Sequence, residues 1–294
     1  MNNRKKWIIS LLSIIILIIA ASLGGCAKPN TFNQSNMSEP IIEDYSQYFK
    51  GMKGTAVFFN GDTNKYYIYN NELADMQTAP NSSFKIVSCL MGLESGIIKP
   101  SDSTMKWDGT EYPITEWNKD LEYKEAFKVS AIWYYREVLD LVGQDYVQKT
   151  LDKLCYGNCD ISQWEGSLNN NVFPQIKSLK SINGFWQEST LKISPIEQTE
   201  VMYKIFHEKN TFSEQNIDRL KEIMLIDNDS NKTKIYGKTG TGIMDESWVD
   251  AWFVGFFEYD NETIYFSVRL NEPNTTGQNA KEIVIDIINN EFAN

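Results

Sequence analysis

The chain is poor in the side chain that most often binds metals and most often activates a nucleophile. It contains one histidine among 294 residues, which excludes a metal site built from several histidines. A Ser-His-Asp triad would depend on that same residue, His207, and its surroundings, YKIFHEKNTF, are typical of a solvated helix end. The sequence therefore predicts no metal site and no catalysis based on histidine.

Cysteine is also scarce, and each of the four residues has its own interpretation. Cys26 ends an N-terminal apolar segment and is a candidate for lipid attachment. Cys89 lies in an apolar helical segment, which predicts a small core residue. Cys155 and Cys159 flank the tripeptide YGN, and a disulfide between them is one option in an exported protein. The sequence leaves their redox state open.

Positive charge is in the minority. The chain has 28 Lys and Arg against 39 Asp and Glu, a net charge of −11, and no basic block in its folded part. An acidic surface of this kind argues against a nucleic-acid partner. Apolar residues make up 42% of the chain, which is enough for a sizeable core.

The N-terminus has the pattern of a targeting segment. Three basic residues at 4–6 precede the apolar run Trp7–Leu23, which is followed by Gly, Gly and Cys. This resembles a bacterial lipoprotein signal and predicts a signal peptide over 1–25, a lipid on Cys26 and a flexible tether over 26–45. The alternative is an uncleaved anchor, because the run is near the lower length limit for a membrane span. Either reading places the chain outside the cytoplasm, held at the outer face of the bacterial cell membrane through this lipid or anchor.

Strand patterns occur near both ends of the chain. Aromatic and β-branched runs surround Asn60-Gly61, a strong hairpin signal, and a second pair of strands is predicted to turn at Asp260-Asn261. A further strand is predicted to enter a glycine-rich turn. These three predicted segments are 54–70, 248–271 and 233–242.

Helical periodicity fills the middle of the chain and closes it. Helices are predicted at 83–93, 121–150, 196–225 and 278–290, the second and third as helices that cover the surface. Strands, then helices, then strands and a helix is the order of an α+β fold. We predict an antiparallel sheet built from N- and C-terminal strands, flanked by helices, with an inserted helical region, in one domain over 46–294.

A serine and a lysine stand at helical spacing where the apolar helix begins. In Ser82-Ser83-Phe84-Lys85 the first and last residues are three apart, so they lie on one helix face. Apolar neighbours would favour the uncharged amine, which could then deprotonate the serine hydroxyl. The alternative is a helix-capping serine followed by a lysine that reaches solvent. Taken alone, the S-x-x-K pattern does not decide between them.

Two further motifs follow in the chain. Ser130 opens another apolar helical segment in KVSAI, and Lys238-Thr239-Gly240 stands where a strand meets glycines. A lysine beside closely approaching backbone suits a substrate that carries a carboxylate. Each motif is common in isolation, and Ser130 alone is compatible with a cap.

The order S-x-x-K, S-x-x, K-T-G is far more specific than its parts. In this order the chain resembles the penicillin-binding proteins and serine β-lactamases. The segments SSFK, KVSAI, YGN, FWQESTLKIS and WDGTEYPITEWNKDLEYKEAFKVS resemble the class D β-lactamases in particular. The resemblance covers about residues 45–290 and implies a β-lactamase/transpeptidase-like fold that takes a small-molecule β-lactam as substrate.

The resemblance also implies catalytic roles. Ser82 would attack the β-lactam carbonyl, and Lys85 would carry a carbamate formed from carbon dioxide and act as general base. Ser130 would pass a proton to the leaving nitrogen. Trp186 would hydrogen-bond the carbamate, and Val129 would shield it. No other cofactor is implied.

Substrate recognition is implied for a second group of residues. Lys238, a catalytic residue in this family, would hold the substrate carboxylate together with Thr239. The backbone N–H groups of Ser82 and Thr241 would bind the oxyanion. The remaining residues assigned to substrate binding are Gly240, Ile132 and Trp117.

The chain departs from the class D pattern at two functional positions. Gln187 follows Trp186 where many members have a leucine that shields the carbamate. No arginine stands in EPNTTGQNAKE, before the last helix, where the class often has one that binds the carboxylate; Arg269 and Lys281 are nearby, but neither matches.

The function that the resemblance favours is hydrolysis of β-lactams through a serine acyl-enzyme, as a class D serine β-lactamase. A β-lactam sensor domain, a D,D-peptidase and an inactive scaffold lipoprotein are the alternatives. Sensors of this type follow several membrane helices, whereas this chain shows one apolar segment, and the peptidases usually have Ser-x-Asn where Ile132 takes the third position. The sequence does not indicate which β-lactams are preferred, or the oligomeric state.

Overall fold

A seven-stranded sheet forms the centre of the fold. The computed structural model describes residues 39–167, 183–208, 212–226, 233–244 and 247–292. The strands run in the order β1-β3-β2-β7-β6-β5-β4, and only the β1–β3 pair is parallel. The strands are β1 Ile41–Ile42, β2 Gly54–Asn60, β3 Lys65–Tyr69, β4 Leu225–Ile226, β5 Lys234–Met244, β6 Ser247–Tyr259 and β7 Glu262–Leu270.

Helices cover both faces of this sheet. They are α1 Ser46–Phe49, α2 Asn71–Ala74, α3 Lys85–Glu94, α4 Tyr123–Lys128, α5 Ile132–Val142, α6 Gln144–Leu154, α7 Pro195–Phe206, α8 Glu214–Met224 and α9 Gly277–Ile287, with 3₁₀ turns at Asn81–Phe84 and Thr115–Trp117 and a π turn at Ile288–Phe292. The start of α7 is fixed by its capping residues. Ser194 and Glu197 form a reciprocal capping box, and Pro195 occupies the first helical position.

The predicted α+β arrangement is confirmed. β2, from the start of the chain, pairs with β7, from its end, in the register Gly54 to Leu270. α9 packs on one face of the sheet, where Phe253 and Phe266 place their rings 5.1 Å apart in the core, and α7 packs on the other. The helical residues between β3 and β4 are the predicted insertion.

Both predicted hairpins form, with different loops. Asp260 and Asn261 have φ of 49° and 67° and make the two-residue connection expected of them. The loop at Asn60 is longer than its Asn-Gly pair predicts: the strands stop at Asn60 and Lys65, and Asn60 Oδ1 accepts hydrogen bonds from the N–H groups of Asp62 and Thr63, both at 3.0 Å. This side-chain turn replaces the tight one.

Three details of the predicted elements are wrong. The sheet starts inside the predicted tether, because Ile41 and Ile42 pair with β3 and Tyr45 is 3% exposed. α5 is a core helix and not a surface one, since it buries residues on more than one face and packs on α3. β5 does not end in a glycine-rich turn but runs through Gly240 and Gly242 to Met244.

Several other predictions concern the ends of the chain and its cysteines. The signal peptide, the lipidated Cys26 and the tether before residue 39 lie outside the described residues and stay predictions. Cys89 is buried, as predicted, and no disulfide joins Cys155 and Cys159 in the described part of the chain. Among the helices in the described ranges, none combines the length and apolar character needed to cross a bilayer.

Candidate active site

The catalytic candidates start at the junction of a 3₁₀ turn and α3. Ser82 lies in the turn Asn81–Phe84, and Lys85 is the first residue of α3. A hydrogen bond of 2.8 Å joins Lys85 Nζ and Ser82 Oγ, as the three-residue spacing predicts. Ser82 therefore has a candidate base within direct proton-transfer distance.

Burial makes the Lys85 amine a plausible proton acceptor. The side chain is 1% exposed, in a helix whose neighbouring residues Phe84, Ile86 and Val87 are also buried. Burial lowers the pKa of Lys85 well below its ordinary value of 10.5, and the positive charge of Lys238 lowers this pKa further. The alternative of a capping serine followed by a solvent-reaching lysine does not fit this geometry.

A second serine and lysine form a similar pair. Lys238 Nζ lies 3.0 Å from Ser130 Oγ, donates to the carbonyl of Thr239 at 2.9 Å, and sits 5.7 Å from the centre of the Phe127 ring. Burial lowers the pKa of Lys238 to about 7. Ser130 has φ of 58°, in the left-handed region that a non-glycine residue enters at a cost, and such strain is common at functional sites.

A cavity of about 210 Å³ has both serines in its lining. It is lined by Ser82, Ser130, Thr239, Gly240, Thr241, Val129, Ile132, Trp117, Gln187, Ile114, Ile243 and Trp248. Most of these residues were singled out in the sequence. Ile114, Ile243 and Trp248 were not, because no local pattern marks them; the tertiary fold carries them to the rim.

The approach of β5 to the catalytic turn depends on glycine. A Cβ atom added to Gly240 would lie 3.0 Å from the Ser83 nitrogen and 3.1 Å from the Pro80 oxygen. The strand can therefore lie against the turn and place Thr241 and Ser82 in one cavity wall. This explains why glycines occur inside a strand, where they are otherwise unfavourable.

The residues assigned to the carbamate lie in different settings. Val129 lines the cavity, and its carbonyl accepts a 2.9 Å hydrogen bond from the Trp117 indole. Trp186 is 1% exposed and stacks on Phe84, behind the cavity and outside its lining. Gln187 is 3% exposed and lines the cavity, and its Nε2 has no hydrogen-bond partner within the described ranges.

Neither basic residue near the last helix replaces the missing arginine at the cavity. Arg269 is 3% exposed and forms a 2.6 Å ion pair with Asp250, so its charge is already paired. Lys281 does not line the cavity. Thr241 Oγ1 instead accepts a 3.0 Å hydrogen bond from the N–H of Gly277, at the start of α9. The cavity lining thus contains Thr239 and Thr241, and the Lys238 amine lies beside it, 3.0 Å from the Ser130 hydroxyl.

Metal ligands are not gathered anywhere in the part of the chain that the structure describes: no group of three or more His, Cys, Asp or Glu side chains is placed to hold an ion.

Comparison with known sequences gives relatives of two functional kinds, regulatory proteins and β-lactamases. The probable beta-lactamase YbxI of Bacillus subtilis is 28% identical over 288 residues, which are 97% of this chain and 97% of that protein. Regulatory protein BlaR1 of Bacillus licheniformis is 34% identical over 249 residues, which are 84% of this chain and 38% of that protein. The chain therefore spans less than half of that relative's length.

Solved structures show the same two kinds. The C-terminal domain of the Bacillus licheniformis BlaR penicillin-receptor is 32% identical, with a TM-score of 0.75 over 88% of this chain and 99% of that one. A class D β-lactamase from Bacillus subtilis is 29% identical, with a TM-score of 0.71 over 84% of this chain and 94% of that one.

A family model completes the comparison. The model described as penicillin binding protein transpeptidase domain matches residues 29–289, a range that includes both serine–lysine pairs and the cavity between them. Since this match covers most of the chain, and the fold and the motif order agree with it, the chain belongs to the penicillin binding protein transpeptidase domain family.

Proposed function

We propose that the chain is a class D serine β-lactamase, which forms an acyl-enzyme with β-lactams through Ser82 and hydrolyses it. One observation carries this proposal: the Lys85 amine lies 2.8 Å from the Ser82 hydroxyl in a buried setting that depresses its pKa. A neutral amine at this distance can accept the hydroxyl proton, which is the activation that a serine nucleophile requires.

Acylation starts with transfer of that proton. Lys85 Nζ accepts it as Ser82 Oγ bonds to the lactam carbonyl carbon, and the carbonyl oxygen takes the negative charge. The N–H groups of Ser82 and Thr241 are the donors that we assign to this oxygen. Both residues line the cavity, one on the catalytic turn and one on β5.

Opening of the ring requires a proton on the leaving nitrogen. As the carbon–nitrogen bond breaks, Ser130 Oγ gives its proton to the lactam nitrogen, and Lys238 as an ammonium restores it over 3.0 Å. At this point Lys85 holds the Ser82 proton and Lys238 has given one up. Loss of a proton from Lys85 to water and uptake of one by Lys238 from water restore both lysines, so the net change is the movement of one proton from Ser82 to the lactam nitrogen.

Deacylation uses the same base. Water attacks the acyl carbon and gives a proton to the Lys85 side chain, which then protonates Ser82 Oγ as the ester bond breaks. Carbon dioxide bound to Lys85 as a carbamate would supply this base through an oxygen atom. The site fits that group because addition requires an uncharged amine, and Val129 and Trp186 are the residues that the resemblance assigns to holding it.

A β-lactam sensor is the second candidate, in which the acyl-enzyme forms and persists. The similarity to the penicillin-receptor domain, which extends over 99% of that solved chain, favours it specifically. Gln187 is the residue of this cavity that departs from the hydrolytic pattern, so it is the first candidate for slow deacylation.

Turnover of a coloured cephalosporin by the purified domain separates these functions. We expect many turnovers per protein, faster with bicarbonate, and none with Ser82→Ala. A single stoichiometric burst would overturn the hydrolase and support the sensor, while slow turnover with cleavage of D-Ala-D-Ala peptides would support a peptidase. Nuclear magnetic resonance with ¹³C-bicarbonate tests the carbamate independently of activity, by a carbamate signal that Lys85→Ala loses.

We also propose that the chain is held at the outer face of the bacterial cell membrane by a lipid on Cys26. The support is the sequence pattern of the N-terminal segment alone.

A further inference from the structure

A buried carboxylate and a buried amide meet directly behind the catalytic turn. Asn81, the residue before Ser82, donates from Nδ2 to Glu188 Oε1 at 2.7 Å. Asn81 is fully buried and Glu188 is 9% exposed. The pair joins the turn that carries Ser82 to the segment that carries Trp186 and Gln187, and the mechanism above uses neither of its members.

The pair also touches β5, beside the other oxyanion donor. A Cβ atom added to Gly242 would lie 2.1 Å from Glu188 Oε1 and 2.7 Å from Asn81 Nδ2. The hydrogen bond therefore crosses the bare backbone of Gly242, the residue after Thr241. One side-chain contact thus supports the backbone on both sides of the proposed oxyanion site.

The pair is held in an arrangement that costs stability. Asn81 and Glu188 both have left-handed backbones, with φ of 51° and 41°. Asn81 Oδ1 is buried and has no hydrogen-bond partner among the described residues. Strained backbone and an unpaired buried oxygen each destabilise a fold, and they persist where function requires the geometry.

We propose that Glu188 and Asn81 are positioning residues that set the Ser82 and Thr241 N–H groups for the oxyanion. This rests on the proposed acylation of Ser82. Glu188 orients the Asn81 amide, Asn81 sets the left-handed turn, and Gly242 leaves room for both. Neither residue touches the substrate, so the pair acts on the rate of acylation and not on the initial binding of the β-lactam.

Two variants of equal size test the hydrogen bond. Glu188→Gln keeps an acceptor for Asn81, whereas Glu188→Leu removes it. Stopped-flow kinetics that separate the acylation rate constant from the dissociation constant should show about a tenfold or greater loss of rate for Leu, with binding nearly unchanged, because displaced oxyanion donors slow the chemical step. The Gln variant should stay within about twofold of the parent. Equal losses in Gln and Leu, or no loss in Leu, would overturn the proposal.

Asn81→Gly provides a second route if the Leu variant does not fold, because glycine keeps the left-handed turn and removes only the amide. It should slow acylation as Glu188→Leu does, and the double variant should lose no more than either single one. Additive losses would contradict a shared role.

Amide ¹⁵N shifts of Ser82 and Thr241, recorded without β-lactam, decide the matter even if the parent is not acylated. Asn81→Gly and Glu188→Leu should move both signals, and Glu188→Gln neither. Unmoved signals in these two variants would overturn the positioning role, whereas a parent that is never acylated would overturn only the proposed function.

Discussion

At the scale of single residues, two buried lysines each contact a serine. Lys85 contacts Ser82 and Lys238 contacts Ser130, both within 3.0 Å. Burial lowers the pKa of each, and the charge of Lys238 lowers the pKa of Lys85 further. This coupling favours a neutral Lys85 beside a charged Lys238, which is the division between base and carboxylate ligand that the proposed acylation requires.

Removal of the Lys85 amine should slow turnover strongly. We expect Lys85→Ala to lower kcat/KM by about 10²-fold to 10⁴-fold, the usual contribution of a general base. Lys50→Ala is the matched control, because Lys50 is an exposed lysine paired with Asp286 and should leave the rate unchanged. Hydrolysis by Lys85→Ala at the parental rate would show that another group is the base.

The charge of Lys238 should appear in the pH profile. Its pKa of about 7 means that the free protein loses this positive charge as the pH rises through 7. Since a carboxylate is held by the charged form, kcat/KM should fall across that range. Lys238→Arg stays charged, so whatever rate it retains should not fall there. A parental rate that increases through pH 7, or the same fall in the Arg variant, would contradict this assignment.

The sequence predicts the residues that act through local spacing and misses those that tertiary contacts supply. Ser82 and Lys85 are found because a helical turn brings them together without the rest of the fold. Ile114 and Trp248 reach the rim from separate loops and strands, and Asn81 meets Glu188 only when distant segments pack. Arg269 is the opposite case: it lies near the expected arginine position in the sequence, yet in the fold its side chain forms an ion pair with Asp250.

At the scale of elements, the YGN turn is hydrogen-bonded to the segment that follows Trp186. Asn158 donates from its backbone N–H to the Lys192 carbonyl and accepts the Lys192 N–H at Oδ1, both at 2.9 Å. Gly157 has φ of 53°, and a Cβ atom there would lie 1.9 Å from the Lys192 oxygen. The turn therefore has no room for any side chain at Gly157.

Two glycine variants separate the steric contact from backbone strain. Gly109 also has a positive φ, of 88°, but nothing lies within 4 Å of an added Cβ. Gly109→Ala should lower the free energy of unfolding by about 1 kcal/mol, and Gly157→Ala by roughly 2 kcal/mol more, because only the second adds an overlap with backbone. Urea unfolding measures both. Equal losses would show that the turn can move aside.

The elements themselves were predictable to the extent that their patterns are local. The hairpin strands show alternating apolar and polar residues, and α9 shows apolar residues at helical spacing. Both patterns can be seen within the segment itself. β1 has only two residues, and its pairing with β3 is visible only in the sheet. β5 stays a strand across its glycines because β6 is paired with it there: Trp252 of β6 lies opposite Gly240. The local sequence of β5 does not predict these hydrogen bonds between strands.

At the scale of the whole molecule, one buried carboxyl should make stability depend on pH. Glu200 is 8% exposed on α7, and burial raises its pKa from 4.5 to about 7, with Lys204 opposing the shift. The folded protein then holds this proton more tightly than the unfolded chain. Stability from this group is present in acid and falls as the pH rises from about 4.5 to about 7.

Replacement by glutamine should remove that slope. Glu200→Gln should be more stable than the parent at pH 8, by on the order of 2 kcal/mol, and about equal to it at pH 4. Urea unfolding across pH measures the difference, and the exposed Glu111→Gln is the control, which should follow the parent. A constant gap between Glu200→Gln and the parent at all pH values would contradict the prediction.

The pairing of β2 with β7 has a consequence for biosynthesis. Gly54 and Leu270 are far apart in the sequence, so the middle of the sheet cannot close until the ribosome has made β7. Contacts between residues so far apart in the sequence slow folding. A nascent chain that already contains Ser82 and Lys85 has not yet buried the lysine in the finished fold, so the pKa of Lys85 is expected to stay nearer its ordinary value of 10.5 until the last strand arrives.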